Sequence, residues 1–315
     1  MKPWREVVEP HKDVLSSKFQ QAEFAADISA MDNPDTPPLY RDARTFYRRT
    51  YITEGMRLLL TQVAERLNAR GGEPVIQLQT AFGGGKTHTM LAVYHLARRE
   101  CPLSELAGVS TLLDRAGLMD VPPARVAILD GTARAPNESV TRGGVELRTL
   151  WGHLAWQLGG EEGFELVRRS DVSGTSPGKE ILRELLARYA PCVVLVDELV
   201  AYLRQFNNGQ QLTGGTYNSN LSFVQALTEA VKLVPDAILL ASLPEVDVEA
   251  GDIRGKTSLA ALEKVFGRVQ ALWKPITAEE GFEIVRMRLF EPLRDTAARD
   301  AVCRAFARTY AEEGA

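Results

Sequence analysis

The sequence predicts an α/β fold in which a five-stranded parallel sheet is covered by helices on both faces. Short, nearly continuous apolar segments alternate along the chain with longer segments of helical periodicity, which is typical of buried parallel strands and their connecting helices. With 45% hydrophobic residues, the 315-residue chain has the composition of an ordinary globular protein. The predicted strands are residues 74–79, 124–129, 192–197, 237–243 and 269–273.

Helical segments precede and follow these strands. Thr53 is the predicted N-cap of the first long helix, and Thr277 with Glu280 forms a predicted capping box for a later one. Polar segments at residues 134–146, 207–220 and 244–258 are predicted as loops. The second is expected to be mobile, because its composition buries little apolar surface. The predicted helices are residues 54–69, 86–99, 147–158, 179–189, 199–206, 221–233, 259–266, 278–290 and 296–312.

The chain divides into three predicted regions. Residues 1–50 are mixed, aromatic and charged, and form an N-terminal extension. Residues 51–275 contain all five predicted strands and form the α/β domain, and residues 276–315 form a helical C-terminal region.

Charge and cysteine usage limit the class of protein. The net charge of −4 gives no general basis for strong non-specific DNA binding, which leaves a local DNA-binding patch open. The cysteines at positions 101, 192 and 303 are isolated, so the sequence predicts a reducing cytoplasm without a disulfide framework or zinc site. No apolar run approaches the ~18 residues that a membrane span needs, so no membrane partner is expected.

The segment from Pro74 to Met90 predicts a strand, a phosphate-binding glycine turn and a helix. Backbone N–H groups in such a turn cradle phosphates, while Lys86 contacts the β- and γ-phosphates and the Thr87 hydroxyl ligates Mg²⁺. Thr80 stands where the usual G-x-x-x-x-G-K-[ST] pattern has its first glycine. The alternative is a tight strand-to-helix turn with a surface lysine. The predicted ATP-binding residues are Gly83, Gly84, Gly85, Lys86, Thr87 and His88.

A second motif consists of two carboxylates at the end of the third predicted strand. Asp197 is expected to hold Mg²⁺ through water, opposite Thr87. Glu198 is expected to orient and deprotonate the attacking water. Side chains alternate along a strand, so the two carboxylates are predicted to face different sides. The alternative is a helix N-terminus that carries acids to complement its dipole.

Weaker candidates complete the predicted site. Ser242 ends the fourth strand, which in a sheet of this type lies between the first and third, and it is predicted to contact the γ-phosphate or the water. Arg268 precedes the fifth strand and is predicted to reach a neighbouring subunit's nucleotide as an arginine finger, which requires a homo-oligomer or larger complex. Tyr51 and Ile52 are predicted to line the adenine pocket. The alternative for Ser242 is a hydroxyl that satisfies a strand-end backbone group. For Arg268 the alternatives are a plain surface arginine, or Arg254 as the finger instead.

This order of motifs, followed by a helical segment from Trp273, resembles the AAA+ superfamily of P-loop ATPases. The segments Pro3–Val14, Gln77–Met90 and Ile284–Pro292 also resemble a family of large prokaryotic predicted ATPases, known only as a domain of unknown function and found among phage-defence and restriction-like gene sets. Family members are longer, so the resemblance implies that this chain is an N-terminal portion. Residues 276–315 would then be a partial helical lid, whose γ-phosphate arginine is not identifiable.

The resemblance implies Mg²⁺-dependent ATP binding and hydrolysis, coupled to remodelling of DNA or of a partner protein in a cytoplasmic defence assembly. Two other functions stay open from the residues alone. One is a non-hydrolysing switch, in which ATP binding organises a complex. The other, more remote, is a small-molecule kinase, which needs an acceptor pocket.

Overall fold

The described residues form a parallel sheet of four strands. The computed structural model describes residues 3–15, 26–80, 85–207, 209–244, 252–266 and 276–313. The predicted fifth strand at residues 269–273 lies outside these ranges. A separate antiparallel hairpin joins two further strands. The strands are β1 (Val75–Thr80), β2 (Arg125–Asp130), β3 (Val140–Arg142), β4 (Val145–Leu147), β5 (Cys192–Asp197) and β6 (Ala237–Pro244), of which β3 and β4 form the hairpin.

The order of the main sheet is β1-β6-β5-β2, and all its strands are parallel. The prediction that the fourth main-sheet strand in chain order lies between the first and third is therefore confirmed. Parallel pairing in register brings the carboxyl ends of all four strands to one edge, where Asp130 lies opposite Asp197. Polar residues that follow these strands consequently meet at this edge.

Along the sequence, helices lie between the strands and at both ends of the chain. They are α1 (Trp4–Val7), α2 (Lys12–Leu15), α3 (Pro38–Arg41), α4 (Ala43–Arg48), α5 (Glu54–Leu67), α6 (Lys86–Arg98), α7 (Val109–Ala116), α8 (Leu150–Glu165), α9 (Arg168–Ser173), α10 (Lys179–Tyr189), α11 (Leu199–Leu203), α12 (Tyr217–Lys232), α13 (Ile253–Phe266), α14 (Ala278–Leu289) and α15 (Thr296–Glu313).

Two hydrophobic cores flank the sheet, as expected for helices on both faces. Alternate residues of β5 enter different cores, because successive side chains of a strand point to opposite faces. Val193 and Leu195 pack with residues of α5, α6 and α7, whereas Val194 and Val196 pack with residues of α8, α10 and α12. Every residue of β5 is buried, which explains its uninterrupted apolar sequence.

Capping residues account for the helix boundaries that the sequence predicts incorrectly. The predicted loop at 207–220 is wrong over its last four residues, because Thr216 and Ser219 form a capping box that starts α12 at Tyr217. The predicted loop at 244–258 is wrong from residue 253 onward, since the Asp252 carboxylate accepts the Gly255 N–H at 2.9 Å at the start of α13. The predicted loop at 134–146 contains most of the β3–β4 hairpin.

The chain forms two compact units. One contains Ala26–Tyr47 and Ile52–Ile276 and includes the sheet. The other contains Met1–Ala25, Arg48–Tyr51 and Thr277–Ala315, so the two ends of the chain pack together.

Within the second unit, Pro10 forms an antiparallel bridge with Phe290. A salt bridge between Arg49 and Asp13 at 2.7 Å also ties its segments together. The predicted capping box of Thr277 and Glu280 is present at the start of α14. In the parts of the chain described above, no helix combines the length and apolar character needed to cross a membrane.

Candidate functional site

The candidate site is centred on the Asp197 carboxylate at the carboxyl end of β5. Its side chain is buried, with 4% of the residue exposed. The Thr87 hydroxyl donates to Oδ2 at 2.9 Å, the Ser242 hydroxyl donates to Oδ1 in a short hydrogen bond, and the Glu198 backbone N–H donates to Oδ1 at 3.1 Å. A buried carboxylate needs such donors, because the charged form loses its water on burial. These contacts hold the Asp197 side chain in one position.

Thr87 reaches this carboxylate because α6 starts immediately after a left-handed glycine. Gly85 has φ 74° and ψ 20°, and Lys86 is the first residue of the helix. A residue with a β-carbon rarely adopts this conformation, so the last glycine of the triplet suits the turn. Lys86 and Thr87 therefore lie at the N-terminal end of α6, where backbone N–H groups and the helix dipole favour an anion. The predicted helix start is confirmed.

Ser242 lies on β6, the strand between β1 and β5. Its pairing with Leu78 of β1 fixes its register in the sheet, and 3% of the residue is exposed. Its hydroxyl contacts Asp197 rather than solvent, so the structure shows a positioning contact. The predicted contact with a γ-phosphate or a water stays a prediction.

Glu198 occupies a different environment from its neighbour. Glu198 is exposed, whereas Asp197 is buried. Since β5 ends at Asp197, the predicted alternation of strand side chains does not extend to Glu198. The Glu198 backbone has φ 51° and ψ 32°, a left-handed conformation that is uncommon for residues other than glycine. Such a conformation costs on the order of 1–3 kcal/mol and persists only where the surrounding structure imposes it. It turns the chain sharply from β5 into α11.

Gly131 is a residue of this site that the sequence analysis missed. Its N–H donates to the Asp197 carbonyl oxygen at 2.9 Å. A β-carbon at position 131 would lie 2.1 Å from the Glu198 carbonyl oxygen, so only glycine fits beside this turn. The signal in the sequence was the Asp-Gly-Thr that follows β2, which is also typical of an ordinary turn.

Asp130 lies beside Asp197 in the sheet, yet its hydrogen bonds are local. Its Oδ1 atom accepts the Thr132 N–H and hydroxyl, both at 2.7 Å, and the Ala133 N–H at 3.3 Å. This arrangement closes the turn after β2. The second carboxylate at the sheet edge therefore has a structural role in the turn.

The structure places the remaining predicted residues unevenly. Gly83, Gly84 and Arg268 lie outside the described residues. His88 is half-buried on α6, where its ring centroid lies 4.6 Å from that of Phe46. Tyr51 and Ile52 fall in different compact units, and their predicted role at an adenine ring stays a prediction.

The side-chain atoms that meet at this site are all oxygens, namely the Asp197 carboxylate and the hydroxyls of Thr87 and Ser242, which suits Mg²⁺. Carboxylate and hydroxyl oxygens are hard ligands, and Mg²⁺ commonly takes one or two protein carboxylates together with waters and phosphate oxygens. Among the residues that the structure describes, no three His, Cys, Asp or Glu side chains cluster as a metal cage. A Mg²⁺ site here would therefore be completed by its ligand rather than built from protein alone.

The comparisons with known proteins identify a family. The family model described as the DUF499 N-terminal domain matches residues 4–284, which include every site residue discussed above. None of the curated proteins matches the chain. Because the family match spans well over half of the sequence, the chain belongs to the DUF499 family.

Proposed function

We propose that this protein binds ATP with Mg²⁺ and hydrolyses it, as a P-loop ATPase of AAA+ type. The observation that carries the proposal is the 2.9 Å hydrogen bond between the Thr87 hydroxyl and the Asp197 carboxylate. It joins the residue after Lys86, at the start of α6, to the carboxyl end of β5. In the sheet, β6 separates this strand from β1, the strand that precedes the glycine turn. A triphosphate site of this class needs these two oxygens at one metal ion.

The N-terminal end of α6 supports phosphate binding. Lys86 provides a compact positive charge, and the first N–H groups of the helix add a partial positive charge. Gly85 lets the chain enter the helix without a β-carbon at the point where a phosphate would approach. Mg²⁺, when bound, would neutralise charge on the phosphate oxygens.

Glu198 is the proposed general base. Its side chain is exposed next to the buried Asp197, so it can accept a proton from a water beside the γ-phosphate. Asp197 is already bound by three donors and faces the metal position instead. The left-handed turn at Glu198 separates the two carboxylates and so supports their different roles.

The remaining parts of the proposal rest on the AAA+ resemblance. In this reading, residues 269–273 form the fifth strand, Arg268 acts on a neighbouring subunit's nucleotide, and residues 276–315 begin the lid. The hydrolysis drives remodelling of DNA or of a partner protein in a prokaryotic defence assembly. The net charge of −4 favours no particular one of these two substrates.

Lys86→Ala tests the phosphate site, and Lys256→Ala is its matched control. Both lysines stand in a Gly-Lys-Thr sequence, but Lys256 lies within the helix α13. Lys86→Ala should abolish ATP binding measured by calorimetry, while the control should bind like the wild type. Unchanged ATP affinity of a correctly folded Lys86→Ala protein would refute the phosphate-site assignment.

Glu198→Gln tests hydrolysis separately from binding. The variant should keep ATP affinity and lose hydrolysis by roughly 10²–10⁴-fold, the usual contribution of a general base. Wild-type turnover in this variant would exclude Glu198 as the base. A wild-type protein that binds ATP without measurable turnover would instead be the non-hydrolysing switch.

A further inference from the structure

A cavity lies along the outer edge of β2, between α6 and α8. Its volume is about 560 Å³, within the range of small-molecule sites. Val126 and Ile128 of β2 line its floor, and Tyr94 of α6 lines one side. Tyr94 is more than two helical turns beyond Lys86, so this cavity is separate from the proposed phosphate site.

Two of the arginines that line this cavity have no carboxylate partner among the described residues. Over the described part of the chain, neither Arg134 nor Arg142 forms an ion pair, although both line the cavity. Other arginines nearby do form one, such as Arg148 with Glu146 at 2.7 Å and Arg98 with Glu100 at 3.3 Å. The cavity therefore contains two cations whose charge the neighbouring side chains do not neutralise.

Arg134 makes its hydrogen bond to a neutral partner. Its Nη1 atom donates to Nε2 of His153 at 3.1 Å, and His153 is 6% exposed. Burial, together with the nearby charges of Arg134 and Arg142, lowers the pKa of His153 to about 3. Burial also lowers the pKa of Arg134, with Arg142 contributing. A buried cation beside a second cation is costly unless an anion compensates them.

Two carboxylates also line the cavity, but among the described residues neither forms an ion pair with these arginines. Asp130 lines the wall, and its Oδ1 atom is used by the turn at Thr132. Asp32 also lines the cavity, and among the described residues it forms no ion pair with either arginine. The pKa of Arg134 is lowered overall, and the opposing effect of Asp130, which raises it, is the smallest of the causes of this shift.

The turn of the β3–β4 hairpin, next to the second arginine, lies against an aromatic ring. Gly143 and Gly144 form its turn with φ 53° and 83°, conformations that glycine adopts without strain. A β-carbon at Gly143 would lie 2.9 Å from Cη2 of Trp156, so the turn rests on the indole edge. Arg142 directly precedes this turn, and the half-buried Trp156 lines the cavity.

The edge of β2 is not open to an added strand. The Gln157 side-chain amide donates to the Ile128 carbonyl oxygen and accepts the Ile128 N–H, both at 2.9 Å. These contacts occupy the backbone groups that an extended peptide would need in the middle of the strand. A compact anion fits the cavity better than a peptide strand.

We propose that this cavity binds a nucleoside monophosphate, whose phosphate is held by Arg134 and Arg142 and whose base lies against Trp156. Guanidinium groups bind phosphate through paired, charge-assisted hydrogen bonds, which gives both strength and geometry. An indole ring provides a stacking surface for a planar base. The proposal does not depend on ATP hydrolysis at Asp197, because Arg134, Arg142 and Trp156 are not part of the proposed ATP site.

The test measures AMP binding by calorimetry in the Lys86→Ala protein. This variant is expected not to bind nucleotide at the proposed ATP site, so any AMP bound is bound elsewhere. AMP should bind, and adenosine should bind at least roughly tenfold more weakly, because the charge-assisted contacts to phosphate are missing. Arg142→Ala should weaken AMP binding by a similar factor. The control Arg115→Ala removes an equally exposed arginine from α7 and should leave AMP affinity unchanged.

Arg134→Gln provides the second test of the cavity. It should also weaken AMP binding, and its melting temperature shows whether the half-buried position tolerates the change. The exposed Arg142 keeps the test decisive if the Arg134 variant fails to fold. No AMP binding in the Lys86→Ala protein, equal binding of AMP and adenosine, or AMP affinity unchanged by Arg142→Ala would overturn the proposal. Tighter binding of an acidic heptapeptide than of AMP would overturn it too.

Discussion

Replacing Thr87 by valine removes the hydroxyl that defines the candidate site while keeping the shape of the side chain. The hydrogen bond to Asp197 is 2.9 Å long and involves a charged acceptor, which typically contributes about 1.5–3 kcal/mol. Asp197 keeps two other donors, the Ser242 hydroxyl and the Glu198 N–H, so the loss should be near the lower limit. We expect Thr87→Val to lower the free energy of unfolding by about 1.5 kcal/mol.

The same substitution should affect activity more than stability. Loss of the hydroxyl as a Mg²⁺ ligand should weaken Mg²⁺-dependent ATP binding by at least about tenfold. Thr87→Ser keeps the oxygen and is the matched control, which should retain most of the affinity. Urea denaturation without nucleotide and ATP calorimetry at several Mg²⁺ concentrations measure the two effects. Equal Mg²⁺ dependence in the valine and serine variants would refute the role of this hydroxyl.

Three further predictions concern other parts of the protein. Gly131→Ala should destabilise it by about 3 kcal/mol or more in urea denaturation, because the new β-carbon would lie 2.1 Å from the Glu198 carbonyl oxygen; stability equal to the wild type would contradict the close approach. The pKa of His153 is lowered from 6.5 to about 3, so its contribution to stability is present above pH 6.5 and is lost as the pH falls towards 3. Between pH 6.5 and 5, the free energy of unfolding should therefore fall by about 2 kcal/mol less in His153→Gln than in the wild type, since one such group contributes at most ~1.4 kcal/mol per pH unit. An unchanged pH dependence of stability would exclude a buried neutral imidazole. Arg268→Ala should retain ATP affinity and lose hydrolysis, and mixing it with Lys86→Ala protein should restore activity; a mixture that stays inactive beside active wild-type oligomers would exclude an arginine finger.

The sequence predicts local features of this fold well, because their causes lie within a few residues. Thr53 starts α5, and its hydroxyl accepts the Met56 N–H at 3.2 Å. The apolar run from Cys192 predicts β5 at its observed position, since a strand buried on both faces has few polar residues. Asp197 lies at the carboxyl end of that strand for the same reason.

Contacts between distant segments could not be predicted in this way. The β3–β4 hairpin is formed by six residues with three exposed positions in β3, so it lacks the alternating apolar pattern that usually identifies strands. Its Arg142 lines the cavity beside a turn that lies against Trp156 of α8. The hydrogen bond between Arg134 and His153 joins a polar loop to a buried face of α8. Nothing in either segment alone indicates the other.

The turn after β5 depends both on its local sequence and on a contact with a distant segment of the chain. The Asp-Glu pair at positions 197 and 198 predicts two carboxylates with different directions, but not the left-handed backbone that separates them. That backbone is uncommon for glutamate, and it is held by the approach of Gly131, whose N–H binds the Asp197 carbonyl oxygen at 2.9 Å. Two chain segments 66 positions apart, as the numbers 131 and 197 show, thus form one turn. The position of the proposed general base is therefore determined by the pairing of β2 with β5 as well as by the motif itself.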